Sequence, residues 1–325
     1  MLSVIHFSEN GRCNVGLALE LSLHMKSMRI CALSVLPLAL YLISGCRKDS
    51  SSRPDQPYVA ENVSIQDVSF HSAALNRDMP YRVFLPARIE GGKKLPVVYL
   101  LHGGNGGFRD WSNNSQVSRY AAQGLLLVMP EGAFSYYMNA TGKEGDRYED
   151  YIFSDLIRDV EARFPAVSTR DKRAVVGISM GGFAALKIAF TRPDLFSFAA
   201  AFSPSIDILH RHYNIKRTGE WWRIRTIFGP SGSVARTSRD PFVLVRKADP
   251  AKTPYIYLTV GENEPLHGPN ERFARQLRDS HFSHEFHTRP GGHDWGEWNS
   301  QIPGCFESLF RHLGLSENDQ GPRIP

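Results

Sequence analysis

The chain has 325 residues, with 38 Lys and Arg against 33 Asp and Glu, a formal charge of +5 and a pI near 9.0. This length suits one large domain with a continuous core. The mild basic excess, without a long run of Lys or Arg, argues against a nucleic-acid surface.

The first informative stretch is a leader. Met25 to Arg29 is short and basic, Ile30 to Ile43 is apolar with Pro37 inside it, and Ser44-Gly45-Cys46 closes it with small residues. That is the layout of an export signal, too short to span a bilayer comfortably. Ile43-Ser44-Gly45-Cys46 resembles a bacterial lipobox, which implies cleavage before Cys46 and lipidation of its thiol. Residues 1–45 are therefore expected to be a signal sequence, with 1–24 lying upstream of a true start at Met25 or Met28. Residues 46–60 are expected to be a lipid-bearing flexible tether, 61–315 the folded domain and 316–325 a disordered tail. The expected location is extracytoplasmic, held to a bacterial membrane through the lipid alone. Of the four cysteines, Cys13 and Cys31 leave with the leader and Cys46 carries lipid, so Cys305 stands alone and no intrachain disulfide is expected.

Strand and helix patterns alternate along the rest. Val68 to Phe70 and Tyr81 to Phe84 read as antiparallel opening strands. Leu95 to Leu101, Leu125 to Met129, Arg173 to Val176, Phe198 to Phe202, Tyr255 to Val260 and His284 to Thr288 read as the main sheet. Ile152, Leu156 and Val160 share a helix face, as do Phe273 with Leu277, and Trp298, Ile302, Phe306, Leu309 and Leu313. The alternation predicts an α/β fold with a mostly parallel central sheet flanked by helices. Asp207 to Pro250 interrupts the rhythm and is expected to form a wall of the active site.

The chemistry is concentrated in four segments. Gly177-Ile178-Ser179-Met180-Gly181 follows a β-branched run and precedes a helix-prone one, the strand–turn–helix context of a nucleophile elbow. Ser179 is the candidate nucleophile, and the Met180 N–H, at the helix start, a candidate oxyanion donor. Gly291-Gly292-His293 presents His293 as the candidate base. The acid should follow the strand Tyr255 to Val260; Glu264 is the first choice and Glu262 its competitor. His102-Gly103-Gly104 follows the strand Pro96 to Leu101, and Gly104, or else Gly103, is the second candidate donor because small residues let backbone approach a substrate. His102 is expected to be structural. Trp111, Tyr137 and Trp295 are expected at the substrate pocket, together with Tyr136. His281, His284 and His287 are poorly spaced for one tetrahedral metal site, and no metal or organic cofactor is expected.

These segments resemble the esterase family of α/β-hydrolases that includes S-formylglutathione hydrolase, the antigen 85 mycolyltransferases and bacterial feruloyl esterases. The likeness rests on Tyr99-Leu100-Leu101-His102-Gly103-Gly104 with Trp111, Gly177 to Gly182, Gly261 with Glu264, and Gly291-Gly292-His293-Asp294-Trp295 with Trp298. It implies an α/β-hydrolase fold and hydrolysis of a small-molecule or carbohydrate-linked carboxylic ester. It gives Ser179 as nucleophile, His293 as base, and Met180 and Gly104 as oxyanion donors. Acyl transfer of the antigen 85 type and thioester hydrolysis of the S-formylglutathione type are the alternative activities. Many relatives place Asp where this chain has Glu264.

Overall fold

A computed structural model describes residues 54–142, 145–211 and 218–315. Eight strands form one sheet in the order β1-β2-β4-β3-β5-β6-β7-β8. β1 (Val63–Ser72) and β2 (Arg77–Pro86) make an antiparallel hairpin, and β2 also runs antiparallel to β4 (Leu126–Pro130). From β4 onward every neighbouring pair is parallel, through β3 (Val97–Leu101), β5 (Arg173–Ile178), β6 (Phe198–Phe202), β7 (Tyr255–Gly261) and β8 (His284–Arg289).

The central strands are apolar because both faces are covered. In β3, Val97, Tyr99 and Leu101 join one core and Val98 and Leu100 the other. The first core takes the helix Met180–Thr191 and the helical run that ends at Ile157–Arg163. The second takes Trp111 and the last helix, Trp295–His312, whose buried face carries Ile302, Cys305, Phe306 and Leu309. Cys305 is buried and free, a filler in that layer. The interruption after β6 contains helices Thr218–Phe228, Val234–Thr237 and Pro241–Leu244.

The start of the described chain differs from the expected tether. Asp55 pairs with the buried Arg82 guanidinium at 2.7 Å, beside Asp67, and the Ala60 N–H donates to Ser118 Oγ at 3.0 Å. Residues 54–60 therefore lie on the domain, because a buried guanidinium requires carboxylate partners. The leader, Cys46 and the expected tail lie outside the described residues. Among the described residues no helix is long and apolar enough to cross a membrane.

Candidate active site

The site lies at the C-terminal ends of the parallel strands. β5 ends at Ile178, the chain turns sharply at Ser179 (φ 52°, ψ −108°), and the helix begins at Met180. Positive φ at a non-glycine residue costs about 1–3 kcal/mol and persists only where its surroundings hold it. Here the Ser179 N–H donates to the Phe202 carbonyl at 2.8 Å, and the Ser179 carbonyl accepts from Phe183 N–H at 3.0 Å and Ser205 N–H at 3.1 Å. The flanking glycines are sterically required. A Cβ at Gly177 would lie 2.2 Å from the Gly181 backbone, and one at Gly181 would lie 2.4 Å from the Leu101 carbonyl oxygen.

Three remote side chains meet at this turn. Ser179 Oγ lies 2.9 Å from His293 Nε2, and His293 Nδ1 lies 2.6 Å from Glu264 Oε2. The other Glu264 oxygen accepts from Ser203 Oγ at 2.5 Å and from the Gly261 N–H at 2.9 Å. Trp298 Nε1–H donates in turn to Ser203 Oγ at 3.1 Å. Glu264 is buried, and both of its side-chain oxygens have hydrogen-bond partners. Glu262 is exposed, and among the described residues its side chain reaches only Thr288 Oγ1, at 3.5 Å. The geometry thus selects Glu264 over its competitor as the partner of His293.

The loops carrying Glu264 and His293 cross closely. The Asn263 N–H donates to the Gly291 carbonyl at 2.9 Å, and a Cβ at Gly261 would lie 2.6 Å from that same oxygen. Glu297, on the first turn of the last helix, packs its stem against Gly291. One of its carboxyl oxygens accepts from Gln301 at 3.0 Å, and the other is buried without a partner among the described residues. Its pKa is pushed up to about 7 by burial above all, which the Gln301 bond opposes and the Glu264 and Asp294 carboxylates reinforce.

A cavity of about 500 Å³ opens onto Ser179 and His293. Gly104, Phe134, Tyr136 and Met180 line one side of it, and Ser205, Asp207, Arg211 and Glu220 also face it. Arg211 pairs with Asp207 at 2.9 Å and stands 4.0 Å from Glu220. The interruption after β6 therefore does contribute a wall, and that wall is charged. Gly104 lines the cavity, while Gly103 faces the Ser179 Cβ.

Three expected pocket aromatics are not at the cavity. Trp111 is 1% exposed, its Nε1–H bound to the Leu101 carbonyl at 3.1 Å and its ring set edge-on to Trp295 at 5.4 Å. Tyr137 is wholly buried, donating to the His102 carbonyl at 3.2 Å. Trp295 packs between Trp111 and Trp298. Each supports a loop from behind because its N–H or ring has a partner in the core. Of the three histidines weighed for metal, His284 bonds the Phe282 carbonyl and His287 stacks on Tyr257 beside Glu285. Among the described residues no group of His, Cys, Asp and Glu is placed to hold a metal. Ser203 and Ser205 were not singled out from the sequence. Their signal is positional: small polar residues directly after a central strand, where parallel sheets place their sites.

The profile of the family described as "Putative esterase" matches residues 72–309. The chain belongs to this esterase family. It is similar to an acetyl esterase of Caldicellulosiruptor saccharolyticus, 25% identical over 265 residues that cover 77% of this chain and 99% of that one. It is also similar to the diacylglycerol acyltransferase/mycolyltransferase Ag85B of Mycobacterium leprae, 26% identical over 306 residues that cover 83% of this chain and 89% of the relative. Among solved structures it resembles the fluorophosphonate-binding serine hydrolase F of Staphylococcus aureus, with a TM-score of 0.67 and 25% identity across 77% of this chain and 98% of the other. The fold is that of the α/β-hydrolases, and the family is one of carboxylic ester hydrolases.

Proposed function

We infer that the chain hydrolyses carboxylic esters through a Ser179–His293–Glu264 triad and an acyl-enzyme. The contact chain from Ser179 Oγ through the imidazole to the buried Glu264 carboxylate carries this reading. His293 Nε2 takes the proton as Ser179 Oγ attacks the ester carbonyl, and Glu264 holds the ring in the Nδ1–H tautomer. The carbonyl oxygen gains charge and is received by the Met180 and Gly104 N–H groups. The imidazolium then protonates the departing alcohol. Water, deprotonated by the same imidazole, releases the acid and frees Ser179. These side chains, the two backbone N–H groups and water balance the whole reaction.

The cavity supports a small acyl group, and its charged wall supports a polar or carbohydrate-linked alcohol. The leader supports export and lipid anchoring at Cys46, outside the cytoplasm. Acyl transfer is the second reading, supported by the likeness to the mycobacterial acyltransferase. Adding acceptor alcohols separates the two, since transfer yields new ester in place of free acid. Ser179→Ala tests the reading itself. Turnover of a nitrophenyl ester is expected to vanish with thermal melting unchanged, and a retained burst of nitrophenol from that variant contradicts the assignment.

A further inference from the structure

A second imidazole stands behind the oxyanion loop and takes no part in the reaction above. His102, at the end of β3, is 1% exposed. Its Nδ1 lies 2.7 Å from the Gly103 carbonyl oxygen, and the Gly132 N–H points at its Nε2 from 2.9 Å. An N–H aimed at Nε2 makes that nitrogen the acceptor and leaves the proton on Nδ1, which donates to Gly103. Glu131 Oε1 stands 3.6 Å from Nε2, beyond hydrogen-bond length. Burial lowers the pKa of this ring, but the Glu131 carboxylate and the Gly103 carbonyl outweigh it and raise it above the ordinary value; charged or neutral, the ring keeps its Nδ1 proton toward Gly103. The neutral Nδ1–H ring satisfies the shorter contacts. The Glu131 oxygens serve the two flanking loops instead, accepting from Ala133 N–H at 2.7 Å and Phe108 N–H at 3.2 Å.

The consequence follows from peptide geometry. In a trans peptide the C=O of one residue and the N–H of the next point in opposite directions. No peptide bond among the described residues is cis. Holding the Gly103 carbonyl against the His102 ring therefore turns the Gly104 N–H away from that ring. Gly104 lines the Ser179 cavity, and no acceptor among the described residues takes its N–H. Glycines on both sides of this peptide leave it little intrinsic resistance to a flip. A flip would put a carbonyl oxygen where the reaction needs a donor. The Gly106 N–H also reaches the Gly103 oxygen, at 3.1 Å, but it belongs to the same loop and moves with it. His102 ties that carbonyl to the end of β3.

We propose that His102 is a positioning residue whose Nδ1–H latches the Gly103 carbonyl and so aims the Gly104 N–H at the oxyanion. The inference rests on the ester-hydrolase reading and on Gly104 as donor. Two near-isosteres divide the functions of the ring. In His102→Asn the amide nitrogen takes the place of Nδ1 and keeps the Gly103 contact. In His102→Gln the amide reaches the place of Nε2, so the Gly132 contact is kept and the latch is lost.

Steady-state kinetics on nitrophenyl acetate, thermal melting, and inhibition by a trifluoromethyl ketone that forms a tetrahedral adduct on Ser179 would be measured for both variants and for His102→Leu. His102→Gln and His102→Leu are expected to lose about 10²–10³-fold in kcat, the effect of removing one oxyanion donor, with KM within a few-fold. Their affinity for the ketone should fall in parallel. His102→Asn is expected to stay within about tenfold of wild type, whatever its melting temperature. Should His102→Leu fail to fold, the Asn and Gln pair still decides. Equal activity of Asn and Gln variants, or a ranking that follows melting temperature alone, overturns the latch while wild-type hydrolysis stands. Absence of hydrolysis in the wild type overturns both the latch and the function it serves.

Discussion

Replacing Glu264 by glutamine gives a sharp prediction, because the surroundings dictate how the amide must sit. One position of the present carboxylate accepts from the Gly261 N–H at 2.9 Å, and a backbone N–H can only donate. The glutamine oxygen must take that position, which leaves its NH₂ facing His293 Nδ1 at the 2.6 Å contact. A donor there forces Nδ1 to accept and moves the ring proton to Nε2. Nε2 then confronts Ser179 Oγ with a proton and can no longer remove one. The same wrong-tautomer effect in a serine protease costs roughly 10⁴-fold in kcat. At 1.36 kcal/mol per decade that is about 5 kcal/mol of transition-state stabilisation. The assay is steady-state hydrolysis of nitrophenyl acetate, with thermal melting as the check on folding. Glu262→Gln, which changes an exposed carboxylate, serves as the control and is expected to stay within about twofold of wild type, as surface changes do. Glu264→Gln within tenfold of wild type, or an equal loss in Glu262→Gln, would refute the reasoning.

Glu297 gives a prediction about stability against pH. Its carboxyl rises from an ordinary 4.5 to about 7 in the folded chain, so between those values the folded state holds a proton that the unfolded state has released. Stability therefore falls as pH rises through that window, by a total of about 3 kcal/mol. Glu297→Gln should match wild type in thermal melting near pH 4.5 and melt higher at pH 8; a gap that does not widen with pH contradicts the assignment. The anchor is tested by growing cells with a labelled fatty acid: the wild-type chain should take up label in the membrane fraction and Cys46→Ser should not, and equal labelling of both would exclude Cys46 as the site.

The sheet was legible because its strands are buried on both faces and read as unbroken apolar runs. The apolar run Phe198–Phe202 begins and ends where the strand does. The opening hairpin was read short: β1 extends over Val63–Ser72 and β2 over Arg77–Pro86, because this edge is half-exposed and carries Gln66, Asp67 and His71 among its apolar residues. The choice between Glu264 and Glu262 was not legible, since both follow the same strand. It is made by the turn after β7, where the Glu262 N–H bonds the Arg289 carbonyl and its side chain points outward, while Glu264 folds back onto the Gly261 N–H. Proximity to glycine loops suggested Trp111, Tyr137 and Trp295 for the pocket, but nearness in sequence does not say which side of a loop a ring occupies. Phe134 and Tyr136 face the cavity, whereas Tyr137 turns inward beneath His102. The support of Glu264 by Ser203 and Trp298 joins residues 95 positions apart, which no local pattern encodes.

The central claim is that Ser179 carries the acyl group between the two halves of the reaction. Its most direct test is peptide mapping by mass spectrometry of enzyme quenched in acid during turnover of a slowly deacylating nitrophenyl ester. One acyl group per chain is expected on the peptide containing Ser179, present in wild type and lacking in Ser179→Ala. Acyl groups on another residue, or hydrolysis at full rate with Ser179 never modified, would contradict it.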